Sequence, residues 1–388
     1  MNTFPDQLRR WQRELRSQFP LIVANPEVAY LDSAATSQKP QAVLDAVVSY
    51  LTTGNADAAR GTYPWANRTT ARVELARDRL RRFVDDPRPQ ASGVHFVGGT
   101  TDGLRAVARD WLAPQLRDGD EIIVPFADHA ANGGAWLEAA ELLRRQGAHV
   151  RVTPMPYDEA HDYDTARLAE LVSNRTRLIA ATHVHHVYGT EMVVHRLRAV
   201  AGSDIPICLD AAQGVGHLPL SMTELDVDFV VFSGHKAMAL PGIGAIWARN
   251  ARGPAYVPAG WTGSPNTTGV ISLAAAFDWL DGAGLGRVAH WTTALGARLT
   301  EGLRTLPSYE LLGRRQSLGI VAFRHRAIDS HDLGFILASE GLLVRADGHC
   351  QGDQGEKTAS VRVSPHVYNT PEEVDRLLAV LAGLDRSW

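Results

Sequence analysis

The sequence has few cysteines, no long apolar run and no excess of basic residues. Its two cysteines, Cys208 and Cys350, are too few for a disulfide framework. No run reaches the roughly 18 apolar residues of a spanning helix, so we expect no membrane insertion. The charged N-terminal segment lacks the apolar core of a secretory signal, so we expect a cytoplasmic location. With 39 basic and 43 acidic residues the net charge is −4, and nucleic acid is not an expected partner.

What the chain does have is length and an alternation of strand and helix patterns. Its 388 residues predict one large and one smaller domain. From about residue 90 to 250, short β-branched apolar runs alternate with helical periodicity, which predicts an α/β fold whose mostly parallel sheet carries helices on both faces. We predict a large domain over residues 26–264. A smaller α+β domain is predicted over 265–388, joined by an N-terminal helix within 1–25.

Two residues at predicted strand ends indicate a cofactor. Parallel sheets bind ligands at the carboxyl ends of their strands. Asp210 closes the run Ile205–Leu209, and an acid there costs free energy unless it is paired. The protonated pyridine nitrogen of pyridoxal 5′-phosphate (PLP) is such a partner, since that proton makes the ring an electron sink. Lys236 follows the next strand, and a lysine in a low dielectric is a good imine-forming nucleophile.

Other strand ends carry further candidates. A glycine-rich turn, residues 98–103, leads into a helix and exposes N–H groups that suit a phosphate. His129 is placed to stack on the pyridine ring and move protons, and Gln213 to contact the phenolate oxygen. The predicted phosphate donors beside Lys236 are Ser233 and His235. Each residue alone also fits an ordinary structural role, but their ordered series favours a cofactor site. No metal site is expected.

On these segments the chain resembles fold-type-I PLP enzymes of the class-V aminotransferase group, and most of all the SufS-type (group II) cysteine desulfurases. The resemblance begins at residues 30–40 and ends at residues 368–377. It implies that Lys236 is the Schiff-base lysine, Asp210 the pyridinium partner and His129 the stacking residue. It also implies that Thr100 and Thr101 hold the phosphate together with Ser233 and His235. Ser264 resembles a residue that serves the phosphate of the neighbouring subunit, which implies a homodimer with shared active sites.

The resemblance also implies a site for an amino-acid substrate. Arg362 resembles the arginine that clamps the substrate carboxylate, a task suited to its two parallel donors. Arg345 is a second candidate for anion binding, and Ala34 is placed at the same site. Cys350 falls where desulfurases carry their nucleophile, whose thiolate takes sulfur from cysteine as a persulfide and releases alanine. A sulfur-acceptor protein is then an expected partner, although Cys350 also fits a loop cysteine without a catalytic task.

Four departures from the desulfurase pattern bear on the substrate. His186 stands where desulfurases place an asparagine, and residues 58–63 lack their histidines. The chain is shorter between Arg249 and Gly263, where desulfurases have a glycine-rich pocket wall, and residues 351–356 are polar. A larger pocket follows from a missing wall. We therefore favour, by a small margin, an S-substituted cysteine, from which Lys236 removes the α-proton and expels the thiol by β-elimination.

Two other functions are compatible with the same residues. The first is an aminotransferase or decarboxylating oxidative deaminase that acts on a bulky cysteine-derived amino acid in secondary metabolism. His186 beside the ring is then an extra acid–base group. The second is a non-catalytic binding module, which the complete set of cofactor residues disfavours.

Overall fold

The computed structural model describes residues 4–250, 254–257, 264–313, 318–352 and 359–386. The helices are α1 (Asp6–Arg16), α2 (Pro20–Ala24), α3 (Gln41–Thr53), α4 (Pro64–Phe83), α5 (Thr100–Ala106), α6 (Ala130–Arg145), α7 (Thr165–Leu171), α8 (Val194–Ala201), α9 (Met222–Leu225), α10 (Thr267–Ala283), α11 (Leu285–Leu303), α12 (Ser330–Ser339) and α13 (Pro371–Asp385). The strands are β1 (Ala29–Tyr30), β2 (Gly93–Val97), β3 (Glu121–Val124), β4 (Arg151–Pro154), β5 (Thr176–Thr182), β6 (Ile207–Asp210), β7 (Phe229–Ser233), β8 (Gly244–Ala248), β9 (Tyr309–Leu312), β10 (Val321–His325), β11 (Leu342–Leu343), β12 (Arg345–Asp347) and β13 (Ser360–Val363). None of the helices in these ranges is both long and apolar enough to cross a membrane.

A seven-stranded sheet organises the large part of the chain, in the order β2-β8-β7-β6-β5-β3-β4. The pairs β4–β3, β3–β5, β5–β6 and β6–β7 are parallel, and β8 runs antiparallel to both of its neighbours. Parallel neighbours need a long crossover, and the short segment from β7 to β8 supplies none. The prediction of a mostly parallel α/β sheet is confirmed.

The strands bury both faces of this sheet. Successive residues of a strand point to opposite faces, so each strand feeds two separate cores. On β6, Leu209 packs into one core while Cys208 packs into the other. The apolar runs of the sequence predict strands over 93–97 and 244–248, which are the bounds of β2 and β8. They also predict strands over 121–125, 149–153, 178–182, 205–209 and 228–232. The ends of these five differ from the structure by up to two residues, because the apolar pattern does not fix where strand pairing stops.

Helix α5 lies close against the sheet. We predicted a helix over residues 102–112. The structure begins α5 at Thr100 and continues it as a π-helix over Val107–Leu112. A side chain at Gly103 would overlap Val231 of β7, so this glycine allows the close approach. The start of α5 thereby sits beside the carboxyl end of β7.

The C-terminal part forms a second sheet, the antiparallel β12-β13-β10-β9, which packs with α11, α12 and α13. Helix α1 joins it: Gln12 Nε2 donates to the Val367 carbonyl at 2.9 Å, and Arg16 pairs with Glu373 at 2.9 Å. Helix α13 starts with the predicted capping box of Thr370 and Glu373. These contacts support the predicted grouping of the N-terminal helix with residues 265–388, and the domain boundaries themselves stay a prediction.

Candidate active site

A cavity of about 240 Å³ opens at the carboxyl ends of the central parallel strands. The last residues of β5, β6 and β7 (Thr182, Asp210 and Ser233) all line it. The predicted site residues that line the cavity are Ala34, Thr100, Thr101, His129, His186, Asp210, Gln213, Ser233, His235, Lys236, Arg345 and Arg362. Parallel strands bring their carboxyl ends to one sheet edge, which explains why residues far apart in sequence meet here.

Lys236 lies in a short 3₁₀-helix, Gly234–Lys236, directly after β7. Burial lowers the pKa of its amine to about 8, and the nearby Asp210 charge partly opposes this effect. The amine forms no hydrogen bond or ion pair with any residue that the structure describes. Near pH 7 a useful fraction of such an amine is unprotonated, and this fraction can act as a nucleophile or a base.

Asp210 is a buried carboxyl group that lacks a cationic neighbour in direct contact. It is 5% exposed, and its Oδ1 accepts a hydrogen bond from the Ala212 N–H at 2.9 Å. Burial raises its pKa to about 6. Within the described ranges no side chain forms an ion pair with it. A buried carboxylate of this kind is stabilised by a cation, and a protonated pyridine nitrogen fits that need.

Polar groups converge at the start of α5. The Ser233 hydroxyl accepts from the Thr100 N–H at 2.8 Å and lies 2.7 Å from the Thr100 hydroxyl. Thr101 and His235 line the same end of the cavity. The His235 carbonyl accepts from the Ser37 N–H at 3.0 Å, which fixes the backbone there. Hydroxyl and backbone N–H groups at a helix start suit a phosphate.

Two histidine rings form one wall of the cavity. His129 is the N-cap of α6, and its Nδ1 accepts from the Ala131 N–H at 3.2 Å. Its ring meets His186 edge to face, with centroids 5.1 Å apart. Burial lowers the pKa of His129 to about 4 and that of His186 well below its usual value. Both rings are therefore neutral at pH 7. Neither ring nitrogen of His186 has a hydrogen-bond partner in the described part of the chain, so both are free for a ligand.

Gln213 bridges the cavity and the N-terminal segment. Its Nε2 donates to the Ala34 carbonyl at 2.9 Å, and the Ala34 N–H donates to the Ser364 hydroxyl at 3.0 Å. The Gln213 Oε1 atom is buried and has no partner among the described residues. Nε2 keeps one further hydrogen, so it can donate to a second acceptor. The predicted contact with a phenolate oxygen stays a prediction.

Arg362 is held deep in the protein by β13. It is 1% exposed, its Nη2 lies 3.0 Å from Asp32 Oδ1, and its Nη1 donates to the His186 carbonyl at 3.0 Å. Its Nε atom is buried and unpartnered among the described residues. Arg362 lines the cavity, and a guanidinium at that position suits a carboxylate ligand. Sequence reasoning missed Asp32, because no local signal links two residues 330 positions apart.

Cys350 lies next to the cavity rather than in its lining. The residue is exposed, and its Sγ is 3.3 Å from Arg345 Nη2. The Cys350 carbonyl accepts from the Ala130 N–H at 3.0 Å, and Gln351 forms a bridge with His129. The cysteine segment is therefore docked on the loop that carries His129.

Several predicted features fall elsewhere. Ser264 is exposed and does not line the cavity of its own chain, and residues 58–63 contribute nothing to the lining. The segment between Arg249 and Gly263, where the sequence is shorter than in desulfurases, is described only in part. Residues 251–253 and 258–263 lie outside the described residues. The described Tyr256 contacts His95 and Phe229, away from the cavity. Of the polar segment after Cys350, residues 353–356 also lie outside the described part.

Residues 29–377 match the model of the aminotransferase class-V family, and the chain belongs to this family of PLP-dependent enzymes. It is 34% identical to a cysteine desulfurase of Cronobacter sakazakii, over 96% of this chain and 98% of the relative. A cysteine desulfurase of Salmonella gallinarum is 35% identical with the same coverage. The chain is an enzyme of the cysteine desulfurase type.

Solved structures agree with this assignment. The cysteine desulfurase CsdA of Escherichia coli, solved in an S-sulfonic acid form, superposes with a TM-score of 0.82 at 28% identity. The apo cysteine desulfurase of Thermococcus onnurineus NA1 gives a TM-score of 0.86 at 27% identity. Each comparison covers 97% of this chain and 98% of the other.

Proposed function

We propose that this protein is a PLP-dependent desulfurase that converts L-cysteine to alanine and keeps the sulfur as a persulfide on Cys350. One observation carries the proposal: Cys350 Sγ lies 3.3 Å from Arg345, whose side chain lines the cavity that also contains Lys236. A guanidinium this close to the sulfur atom offsets the negative charge that sulfur transfer places there. The cysteine desulfurases that match over nearly the whole chain support L-cysteine as the substrate.

The cavity residues fit the cofactor at three points. Lys236 would hold it covalently, Asp210 would pair with its ring nitrogen, and Ser233 with Thr100 would bind its phosphate. When bound, PLP withdraws electrons from the substrate Cα and makes its proton acidic. The neutral ring of His129 would cover one face of the cofactor. Among the described residues neither the Asp210 carboxyl nor the Lys236 amine has an ion-pair partner, which supports this placement.

The protein's own groups then perform the binding and the proton movements. Arg362 binds the substrate carboxylate through its free donor face. The Lys236 amine accepts the proton from the substrate Cα and can return it to carbon, a task that suits an amine of pKa about 8. With the cofactor bound, Asp210 would stabilise a proton on its ring nitrogen by electrostatic attraction.

Sulfur transfer balances without an external oxidant. The Cys350 thiolate attacks the substrate sulfur and forms the S–S bond. The substrate Cβ–S bond breaks, its electron pair goes to Cβ, and Cβ takes up a proton. One cysteine and one enzyme thiol thus give one alanine and one enzyme persulfide. Arg345 offsets the negative charge of the attacking thiolate and of the persulfide that replaces it.

Incubation of the PLP-loaded enzyme with L-cysteine tests the proposal. We expect alanine in the solution and a mass increase of one sulfur atom on Cys350. The variant C350A should bind L-cysteine, as seen by a change in cofactor absorbance, yet release no alanine. Alanine formation by C350A at the wild-type rate would refute the persulfide route.

β-Elimination from an S-substituted cysteine is a second candidate. It needs Lys236 but no protein thiol, and one observation favours it: Cys350 is exposed and outside the cavity lining. Incubation with an S-alkyl cysteine would then give pyruvate, ammonia and a thiol, with the same rate in C350A. The relatives do not favour the aminotransferase or oxidative deaminase alternative, and a place in secondary metabolism stays a prediction.

We also propose that the enzyme acts as a homodimer. Ser264 is exposed and lies outside its own cavity, which supports its predicted role at the cavity of the neighbouring subunit. The exposure of Cys350 supports transfer of the persulfide sulfur to an acceptor protein. The cytoplasmic location stays a prediction.

A further inference from the structure

The carboxylate of Asp347 links three neighbouring groups at the end of β12. Both of its oxygens accept from Arg345 Nε, each at 2.9 Å. Oδ1 also accepts from the backbone N–H of His349 at 2.6 Å and lies 3.1 Å from His349 Nδ1. The sequence indicated roles for Arg345 and Cys350 but none for Asp347.

These contacts stabilise a turn that the backbone disfavours. His349 and Cys350 are consecutive residues with φ values of 52° and 57°, in the left-handed region that non-glycine residues rarely adopt. Such a turn persists only where its surroundings fix it. Asp347 holds it from the N-terminal side. On the other side, His349 Nε2 lies 2.8 Å from the Ser360 hydroxyl and the Cys350 carbonyl accepts from Ala130.

Asp347 also orients the guanidinium that contacts the thiol. A guanidinium is planar, so holding Nε fixes the direction of the two terminal nitrogens. With Nε held by Asp347, Nη2 of Arg345 lies 3.3 Å from Cys350 Sγ. Arg345 also faces a second cation, because it pairs with Arg362 across β12 and β13 and both side chains line the cavity. The negative charge of Asp347 offsets this repulsion.

We propose that Asp347 is a positioning residue for sulfur transfer, which holds Arg345 against Cys350 and fixes the turn that places the thiol beside the cavity. This inference rests on the proposed desulfurase function and adds to it a residue that touches neither substrate nor cofactor. Asp347 therefore affects the step at Cys350 and leaves the binding of L-cysteine unchanged.

A single-turnover experiment distinguishes an effect on persulfide formation from an effect on L-cysteine binding. PLP-loaded D347A and D347N are mixed with L-cysteine, persulfide on Cys350 is followed by mass spectrometry, and L-cysteine binding is followed by cofactor absorbance. We expect D347A to form persulfide about tenfold more slowly, the effect of losing one charged hydrogen bond, and to bind L-cysteine within about twofold of wild type. D347N keeps an acceptor for the His349 N–H and should recover part of the rate.

A matched control and a double variant test whether Asp347 acts through Arg345. Asp329 caps α12 through the same kind of backbone contact, with its side chain accepting from the His331 N–H. The control D329A should therefore leave the persulfide rate unchanged. If Asp347 acts through Arg345, adding D347A to R345A should change the rate by less than about threefold, because the two residues share one interaction.

Hydrogen exchange gives a readout independent of turnover. D347A should speed amide exchange in the peptide that contains His349 and Cys350, while exchange around Lys236 stays as in wild type. Wild-type persulfide rates in D347A would overturn the inference, and so would an equal loss of L-cysteine binding. Absence of persulfide in the wild-type enzyme would instead refute the proposed function, so the two failures are distinguishable.

Discussion

The burial of Lys236 sets the pH at which the protein attaches its cofactor. Only the neutral amine attacks the PLP aldehyde, and burial lowers the pKa of Lys236 from 10.5 to about 8. At pH 7 about a tenth of the amine is then neutral, against roughly one part in 3,000 for an ordinary lysine. We therefore expect Lys236 to attach PLP about 300-fold faster at pH 7 than an unperturbed lysine with the same geometry.

The assay mixes apo protein with PLP at a series of pH values. Borohydride reduction traps the attached cofactor, and mass spectrometry locates and quantifies it on Lys236. Nα-acetyl-lysine in the same buffers corrects for the titration of PLP itself. We expect the corrected rate to rise with pH and to reach half of its maximum near pH 8.

A second variant tests the cause of this shift. The negative charge of Asp210 raises the pKa of Lys236 and so opposes the effect of burial. D210N should therefore move the half-maximal pH below that of wild type, even though the bound cofactor is held less tightly. A wild-type half-maximum above about pH 9.5, close to that of a free lysine, would refute the reasoning. A shift of D210N to higher pH would contradict the assigned role of Asp210.

Three further variants probe other parts of the site. S233A removes a hydroxyl from the proposed phosphate-binding part of the cavity. The Kd for PLP, measured by absorbance titration, should therefore rise about tenfold. A change under twofold would count against phosphate binding by Ser233. R362K keeps the positive charge but loses the planar guanidinium with its two parallel donors. The KM for L-cysteine should therefore rise at least about tenfold while kcat changes less. A large fall in kcat with little change in KM would exclude a carboxylate clamp. In G352A the new side chain would overlap the Phe126 carbonyl, so we expect a loss of about 1–3 kcal/mol in the free energy of unfolding together with slower persulfide formation. G348A is the matched control, because open space surrounds that position, and equal losses in both variants would contradict the docking of this segment.

The cofactor end of the site could be predicted because local sequence carries its signal. Asp210 and Ser233 are each the last residue of a buried strand, and Thr100 begins the helix after a glycine-rich turn. The clustering of these positions follows from the fold class, since all parallel strands end at one edge. The predicted cofactor residues other than Ser264 accordingly lie around one cavity.

The substrate end could be predicted only in part. The sequence indicated Arg362 and Cys350 through a family resemblance, but their partners carry no local signal. Asp32 meets Arg362 across 330 positions, and Asp347 acts through a turn of two left-handed residues. The conformation of this turn depends on the loop that carries His129, because His129 forms a bridge with Gln351, directly after the turn.

The sequence by itself determined the alternating α/β pattern, the strand-end positions of the cofactor residues and the presence of one cysteine near the family's nucleophile position. These properties depend on side-chain periodicity and short-range spacing. Only the tertiary structure decided that desolvation lowers the pKa of Lys236 and that Arg345 is turned toward Cys350. It also decided that both nitrogens of His186 are unpartnered among the described residues. Burial, electrostatics and hydrogen-bond partners depend on contacts between distant segments, and those contacts exist only once the chain has folded.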